Sequence, residues 1–223
     1  MKKATYLLFA LIILSSCGTA SRLTREMQYS KMYEEKPVTL LLMPPINNTT
    51  NVEAKEYLYT SISRPLAEAG YYVISPMLSM DILQAESAYD AELFVDAPLT
   101  MFQNFFGADA VVFSEINSWT KKGLGIETNI RYFIKSAYTG EILFDRSCEL
   151  YLDLQINSGG SGFGVLVDLV ASAINTAVTE HIVAARKANY FIFRDIPRGK
   201  YNPQYLQDMD VIAEKKDVKA RVK

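Results

Sequence analysis

Apolar residues change their spacing several times along this chain, and each change predicts an element. Val38 to Met43 (VTLLLM) is an unbroken apolar run stopped by Pro44-Pro45, the pattern of a strand covered on both faces inside a helix-flanked sheet. Ala54, Tyr57, Leu58, Ser61, Ile62, Leu66 and Ala69 then fall three and four apart, which predicts a helix with one face inward. Thr50 with Glu53 three residues on makes a capping box for its start. Pro65 should bend or weaken its last turns, and Gly70 suits the position just past its end. Tyr71 to Ser75 (YYVIS) reads as a second strand ending at Pro76, and Met77 to Ser87 as a second helix carrying Leu78, Ile82 and Leu83. Asp96 and Pro98 open a third helix, which runs to Phe106 and closes at Gly107. Asp109 to Trp119 returns as a strand. The order β-α-β-α-α-β favours parallel strands joined by crossover helices.

The second half has a different period. Ile126, Thr128, Ile130, Tyr132 and Ile134 alternate with Glu127, Asn129, Arg131 and Lys135, Thr139-Gly140 signals a tight turn, and Ile142, Phe144, Cys148, Leu150, Leu152 and Leu154 return in phase. This predicts an antiparallel hairpin with one covered face. After the glycine-rich stretch Asn157 to Gly164 (NSGGSGFG), a long helix is expected, because Phe163, Leu166, Val167, Val170, Ala173, Ile174, Ala177, Val178, Ile182 and Ala185 keep helical spacing. The chain then turns aromatic and proline-punctuated from Tyr190 to Tyr205. Past Asp210, AEKKDVKARVK lacks apolar periodicity and reads as a frayed, charged tail. The expected fold class is α/β with a mixed sheet: the β-α-β-α-α-β half, the hairpin, and a long C-terminal helix covering the sheet.

At the N-terminus, Lys2 and Lys3 precede the apolar run Tyr6 to Leu14, which has the length of a signal-peptide core and is too short to cross a bilayer. Leu14-Ser15-Ser16-Cys17 resembles a bacterial lipobox. That resemblance implies removal of residues 1–16 and acylation of Cys17 as the mature N-terminus; an ordinary secretory signal with an incidental cysteine is the alternative. Residues 17–36 are polar and mixed in charge and read as the lipidated N-terminus and a tether, with a reach of roughly 25 Å if flexible. Residues 37–206 form a single domain, and 207–223 the charged tail.

Composition narrows the function classes. A net charge of −2 gives no electrostatic reason to expect nucleic acid as a partner. Of two cysteines, acylation would consume Cys17, so Cys148 has no intrachain mate; on the apolar side of its strand it behaves as a small hydrophobe. His181, the sole histidine, lies between Val178 and Ile182 and reads as a helix-edge or core residue. One histidine and one remaining cysteine cannot assemble a zinc-type cluster, and neither a serine elbow nor a CxxC is present. The loop Asn157–Gly164 fits neither a P-loop nor a dinucleotide fingerprint and reads as a connector. No catalytic residue, metal site or cofactor is assigned, although converging Asp and Glu pairs cannot be read from sequence.

Four segments carry a wider resemblance: Pro37 to Asn47 (PVTLLLMPPIN), Pro65 to Val73 (PLAEAGYYV), Gly107-Ala108-Asp109-Ala110, and Gly199 to Tyr205 (GKYNPQY). Together the chain resembles a family of uncharacterised bacterial lipoproteins related to a neisserial surface-antigen candidate. The resemblance implies a periplasmic α/β domain like those of curli-secretion-channel proteins and of the TolB N-terminal domain, and partnership with other envelope lipoproteins, including a curli-secretion-channel-like one. It carries no enzymatic residues over. Gly18 after the acylated cysteine resembles the default signal for the outer membrane, and the expected location is that membrane with the body facing the periplasm; surface exposure is the alternative. The expected role is a non-enzymatic adaptor or accessory subunit of an envelope assembly or secretion-related complex, held to the bilayer through Cys17. Tyr190, Phe191, Phe193, Tyr201 and Tyr205 are its candidate interface, since tyrosines suit surfaces apolar at one end and wet at the other; covering a sheet edge is their alternative role. The competing expectation is a periplasmic ligand-binding or hydrolytic domain with a carboxylate-lined cleft near Asn157–Gly164 or Pro44–Asn51.

Overall fold

The computed structural model describes residues 23–154 and 176–223. A seven-stranded mixed sheet runs through it. In chain order the strands are β1 (Thr39–Leu42), β2 (Ile46–Asn47), β3 (Tyr72–Val73), β4 (Ala110–Lys122), β5 (Gly125–Ser136), β6 (Ile142–Asp153) and β7 (Asp217–Val222). The sheet order is β3-β1-β4-β5-β6-β7, with β2 joining β4. β1 is parallel to both β3 and β4, β4-β5-β6 is an antiparallel meander, and β6 is parallel to β7. Among the described residues six α-helices accompany the sheet: α1 (Arg25–Gln28), α2 (Ser30–Glu35), α3 (Val52–Glu68), α4 (Pro76–Ala85), α5 (Thr100–Phe106) and α6 (Thr176–Phe193). This is the mixed α/β class expected from the spacing.

The unbroken apolar run of β1 has its explanation in two cores. Leu40 and Leu42 enter the larger one, with α3, α6 and the two N-terminal helices, while Leu41 and Met43 enter a smaller one under α4 and α5. Successive side chains leave a strand on opposite faces, so a strand covered twice must be apolar throughout. On β5 the large core takes Ile126, Ile130, Tyr132 and Ile134, whereas only Phe133 reaches the small core, where it stacks on Phe113. The remainder of that second face is polar.

α3 starts one residue later than the capping box implies. Asn51 is the cap, its side chain accepting from the Ala54 N–H at 3.0 Å, and its own N–H donates to Thr49 Oγ1 at 3.1 Å. Pro65 lies inside α3 without ending it. Beyond it, Gly70 N–H donates to the Ala67 carbonyl and Tyr71 N–H to the Leu66 carbonyl, the paired closure of a glycine-terminated helix. A 3₁₀ turn at Ala91–Phe94 precedes α5, which begins at Thr100 rather than at Asp96 and Pro98, and closes at Gly107 as expected.

Three expectations need correction. The stretch assigned to a tether is part of the body from Leu23 on, because Tyr29, Met32 and Tyr33 are buried in the large core and Tyr29 stacks on Phe144. Their i, i+3, i+4 spacing is a short helical face overlooked among charges. The tail is not frayed. Asp208 is buried, and DVKARV forms β7, turning Val218, Ala220 and Val222 toward the core and Asp217, Lys219 and Arg221 to water. The segment is not without apolar periodicity: Val218, Ala220 and Val222 alternate with charged residues at a period of two. On β6, a register shift beside Ile134 and Lys135 turns Leu143 inward and leaves Ile142 half-exposed. The expected long helix is described only from Thr176; its earlier positions lie outside the described residues.

Candidate functional site: a buried charge cluster joining the two ends of the chain

The tertiary centre of this molecule is made of charges. Thr24 caps α1, its hydroxyl accepting from the Met27 N–H at 3.3 Å, and the turn aims Arg25 inward. The Arg25 guanidinium donates to Asp195 Oδ1 at 3.3 Å, Asp208 Oδ2 at 2.9 Å and the Arg194 carbonyl at 3.1 Å. All three charged side chains are buried. Asp195 also accepts from the Tyr29 hydroxyl and the Glu214 N–H, each at 2.9 Å, and Asp208 from the Arg198 N–H at 3.0 Å.

Arg146 extends the cluster into the sheet. It stands in the apolar row of β6 and has no exposed surface. It donates to the Ile192 carbonyl at 2.8 Å and the Phe191 carbonyl at 3.3 Å, at the end of α6 where unpaired carbonyls and the helix dipole favour a cation. It also pairs with Glu214, which Arg194 holds at 2.6 Å. The Phe191 ring carries both cations, Arg194 at 3.9 Å and Arg146 at 5.4 Å from its centre. Burial alone would raise the Glu214 pKa, but the hydrogen bond from Arg194 and the charge of Arg146 outweigh it and hold the carboxyl below its ordinary value. Tyr29 is shifted upward, by burial first and the Asp195 charge second, and Tyr33 likewise by burial and Asp208, so both phenols stay protonated. Arg25, Arg146 and Arg194 balance Asp195, Asp208 and Glu214. The cluster ties α1, β6, the end of α6 and the C-terminal segment together.

The four segments behind the family resemblance meet one another around this frame. Gly70 at the end of α3 touches Gly199: the Gly199 N–H donates to the Ala69 carbonyl and the Tyr201 N–H to the Gly70 carbonyl, both at 2.9 Å. Tyr71 donates to the Pro197 carbonyl at 2.7 Å, and the Asn202 amide to the Glu68 carbonyl at 3.2 Å. Gly70 has φ +99°, and a Cβ there would lie 2.5 Å from the Asn202 nitrogen. Asp109 Oδ2 accepts from the N–H groups of Val38 and Thr39, both at 2.9 Å, fixing the start of β1 beside β4.

The expected interface separates into two groups. Phe191 and Phe193 are core residues, Phe193 lying 4.7 Å from the Tyr132 ring, because they occupy the inward side of α6; they are withdrawn as interface residues. Tyr190 is half-buried with its hydroxyl 3.0 Å from Glu68, Tyr205 is also half-buried, and Tyr201 is exposed. Cys148 is fully buried, and burial pushes its thiol up to about 11. His181 bridges α6 to the sheet, its Nδ1 accepting from the Trp119 indole at 2.8 Å while its ring stacks on Tyr57. Cys17 and the Asn157–Gly164 loop lie outside the described residues.

In Pro44–Asn51, Asn47 binds Thr49 and the Asn51 carbonyl, while the Asn48 amide donates to Asn117 Oδ1 at 3.0 Å. A shallow groove of about 650 Å³ lies on the open polar face of the sheet, and its carboxylates are paired, Glu127 with Lys122 at 2.9 Å and Glu149 with Lys219 at 2.8 Å. Among the described residues no group of three or more His, Cys, Asp or Glu is placed to hold a metal ion, and no helix is long and apolar enough to cross a membrane.

These observations define a class: a mixed α/β body whose polar motif residues brace the frame and whose ends are locked together by buried charge. Residues 27–195 match the model of the family described as "Putative lipoprotein GNA1162-like", and the chain belongs to that family of lipoproteins. It is 24% identical over 185 residues to a lipoprotein of Neisseria meningitidis serogroup B (NMB1124/NMB1162), covering 81% of this chain and 84% of that protein. Among solved structures, lipoprotein GNA1162 from Neisseria meningitidis aligns with TM-score 0.48 and 20% identity over 62% of this chain and all of that one. A PelC dodecamer from Paraburkholderia phytofirmans aligns with TM-score 0.37 and 10% identity over 70% of this chain and 90% of that one. The family and the meningococcal relative are described as lipoproteins, and neither description indicates an enzyme.

Proposed function

We propose that this lipoprotein is acylated at Cys17, sits on the periplasmic side of the outer membrane, and serves as a non-enzymatic adaptor or accessory subunit of an envelope assembly that includes other lipoproteins, a curli-secretion-channel-like one among them. One observation carries the reading. Three polar residues of the family segments are committed to backbone groups: Asp109 to the start of β1, Tyr71 to the Pro197 carbonyl, Asn202 to the end of α3. Groups held this way fix shape. Leu23, whose carbonyl accepts from the Ala213 N–H, adds support, since it lies only six residues from Cys17.

Of the expected interface, Tyr201 has the exposure a partner contact requires, with Tyr190 and Tyr205 beside it as half-buried supports. Crosslinking in intact cells followed by affinity capture should recover a stable envelope partner, and Tyr201→Ala should weaken that capture. Recovery of the protein alone in every detergent would overturn the adaptor role. Cys17→Ser should abolish fatty-acid labelling and release the protein from envelopes; an unchanged label and sedimentation would overturn the anchor.

A further inference from the structure

The buried cluster positions a patch that it does not use. Where the two ends of the chain cross, Thr24 bridges Ile212, the Arg25 N–H donates to the Val211 carbonyl at 2.8 Å, and the Ala213 N–H donates to the Leu23 carbonyl at 2.9 Å. Arg25 beside this crossing is buried, whereas several apolar side chains near it are exposed. Leu23 is 46% exposed, Met27 68%, Val211 45% and Ile212 49%. These four large apolar side chains lie on two hydrogen-bonded segments and stay exposed among the described residues, and apolar surface of this kind suits contact with another apolar surface.

The chain itself says what lies against them. Leu23 is six residues from Cys17, and a fully extended chain spans at most about 3.3–3.6 Å per residue, or roughly 20 Å here. With Cys17 acylated, the patch is therefore confined to the neighbourhood of the bilayer surface, and of the large apolar side chains exposed among the described residues Leu23 and Met27 lie nearest the anchor in sequence. The exposed charges on the same two segments cancel, Glu26 and Asp210 against Lys215 and Lys216, so any attraction there is apolar rather than electrostatic. We infer that Leu23, Met27, Val211 and Ile212 form a membrane-contact patch, which inserts at the headgroup boundary beside the acyl chains and sets the orientation of the body on the bilayer. This rests on acylation of Cys17. A lipid chain alone leaves the body free to swivel, and a second, protein-borne contact removes that freedom. Such faces enter about 5–10 Å into the boundary.

The test uses the full acylated lipoprotein in vesicles of phosphatidylethanolamine and phosphatidylglycerol with brominated acyl chains. Met27→Cys and Ile212→Cys carry a bromine-quenched fluorophore, and Val52→Cys is the control. Val52 is 79% exposed at the start of α3, about 25 Å along that helix from its other end, the end that the C-terminal segment covers through Gly199 and Asn202. Cys148 is fully buried and stays unlabelled. The expected result is quenching at Met27 and Ile212 several-fold above that at Val52 and unchanged at high salt. Fatty-acid labelling and co-flotation with vesicles, but equal quenching at the three positions, would overturn the patch and leave the anchor standing. Quenching abolished by salt would overturn its apolar character. Absence of both fatty-acid label and co-flotation would overturn the anchor, and the patch with it.

Discussion

Arg25→Ala isolates the physics that joins the two ends of this chain. The arginine is buried and faces two buried carboxylates, Asp195 at 3.3 Å and Asp208 at 2.9 Å. Its removal leaves both anions in a poorly solvated site with fewer donors, and breaking a buried pair in this way costs about 3–5 kcal/mol. For a domain of this size each kcal/mol corresponds to about 2–4 °C in Tm, so the midpoint should fall by about 6–20 °C. Lys31, on the neighbouring helix, is the internal control. It pairs with Glu34 at 3.1 Å and Glu141 at 3.2 Å, but on the surface, where solvent screens the charges and leaves such pairs little effect on stability. Thermal unfolding followed by circular dichroism, with limited proteolysis of residues 23–36, reads the difference. The triple variant Arg25→Met, Asp195→Asn, Asp208→Asn should recover much of the loss, because no uncompensated charge remains. A loss for Arg25→Ala no larger than that for Lys31→Ala would refute the reasoning and mean that water reaches the cluster.

Other expectations follow from the same frame. Gly70→Ala combines a positive φ with a Cβ 2.5 Å from the Asn202 backbone, and should destabilise by about 2 kcal/mol or more in denaturant unfolding; a loss below half of that would show that the Gly199 segment gives way. The folded-state pKa of Glu214 is lowered, so its stabilisation is present above the unfolded carboxyl value near 4.3 and is lost as pH falls through the folded one. Stability should therefore drop more steeply below about pH 4 in the parent chain than in Glu214→Gln, and parallel pH profiles would contradict the assignment. Deleting Asp217–Lys223 removes a strand from the edge of β6 and uncovers apolar side chains of the large core; it should lower Tm, whereas a frayed tail could be removed without effect.

How much of this was legible depends on the range of the interaction. Val38 to Met43 announced a strand buried on both faces because β1 does lie between two cores, and the alternation of Ile126 to Ile134 announced one covered face because only Phe133 reaches the second core. Gly107 closed its helix where expected, since a left-handed residue is a local demand. Nothing in the local sequence sets Arg25, Arg146, Asp195 and Asp208 apart from other charged residues. They lie in segments far apart in sequence, and only folding brings them together. Phe191 and Phe193 were misplaced for the same reason: an aromatic run does not say which side of its helix faces the sheet. Short-range periodicity and capping thus determined, from sequence alone, the class of fold and most of its elements. The tertiary structure alone decided that the ends of the chain are one locked unit, because pairing charges across more than a hundred residues is a property of the assembled packing and leaves no local pattern to read.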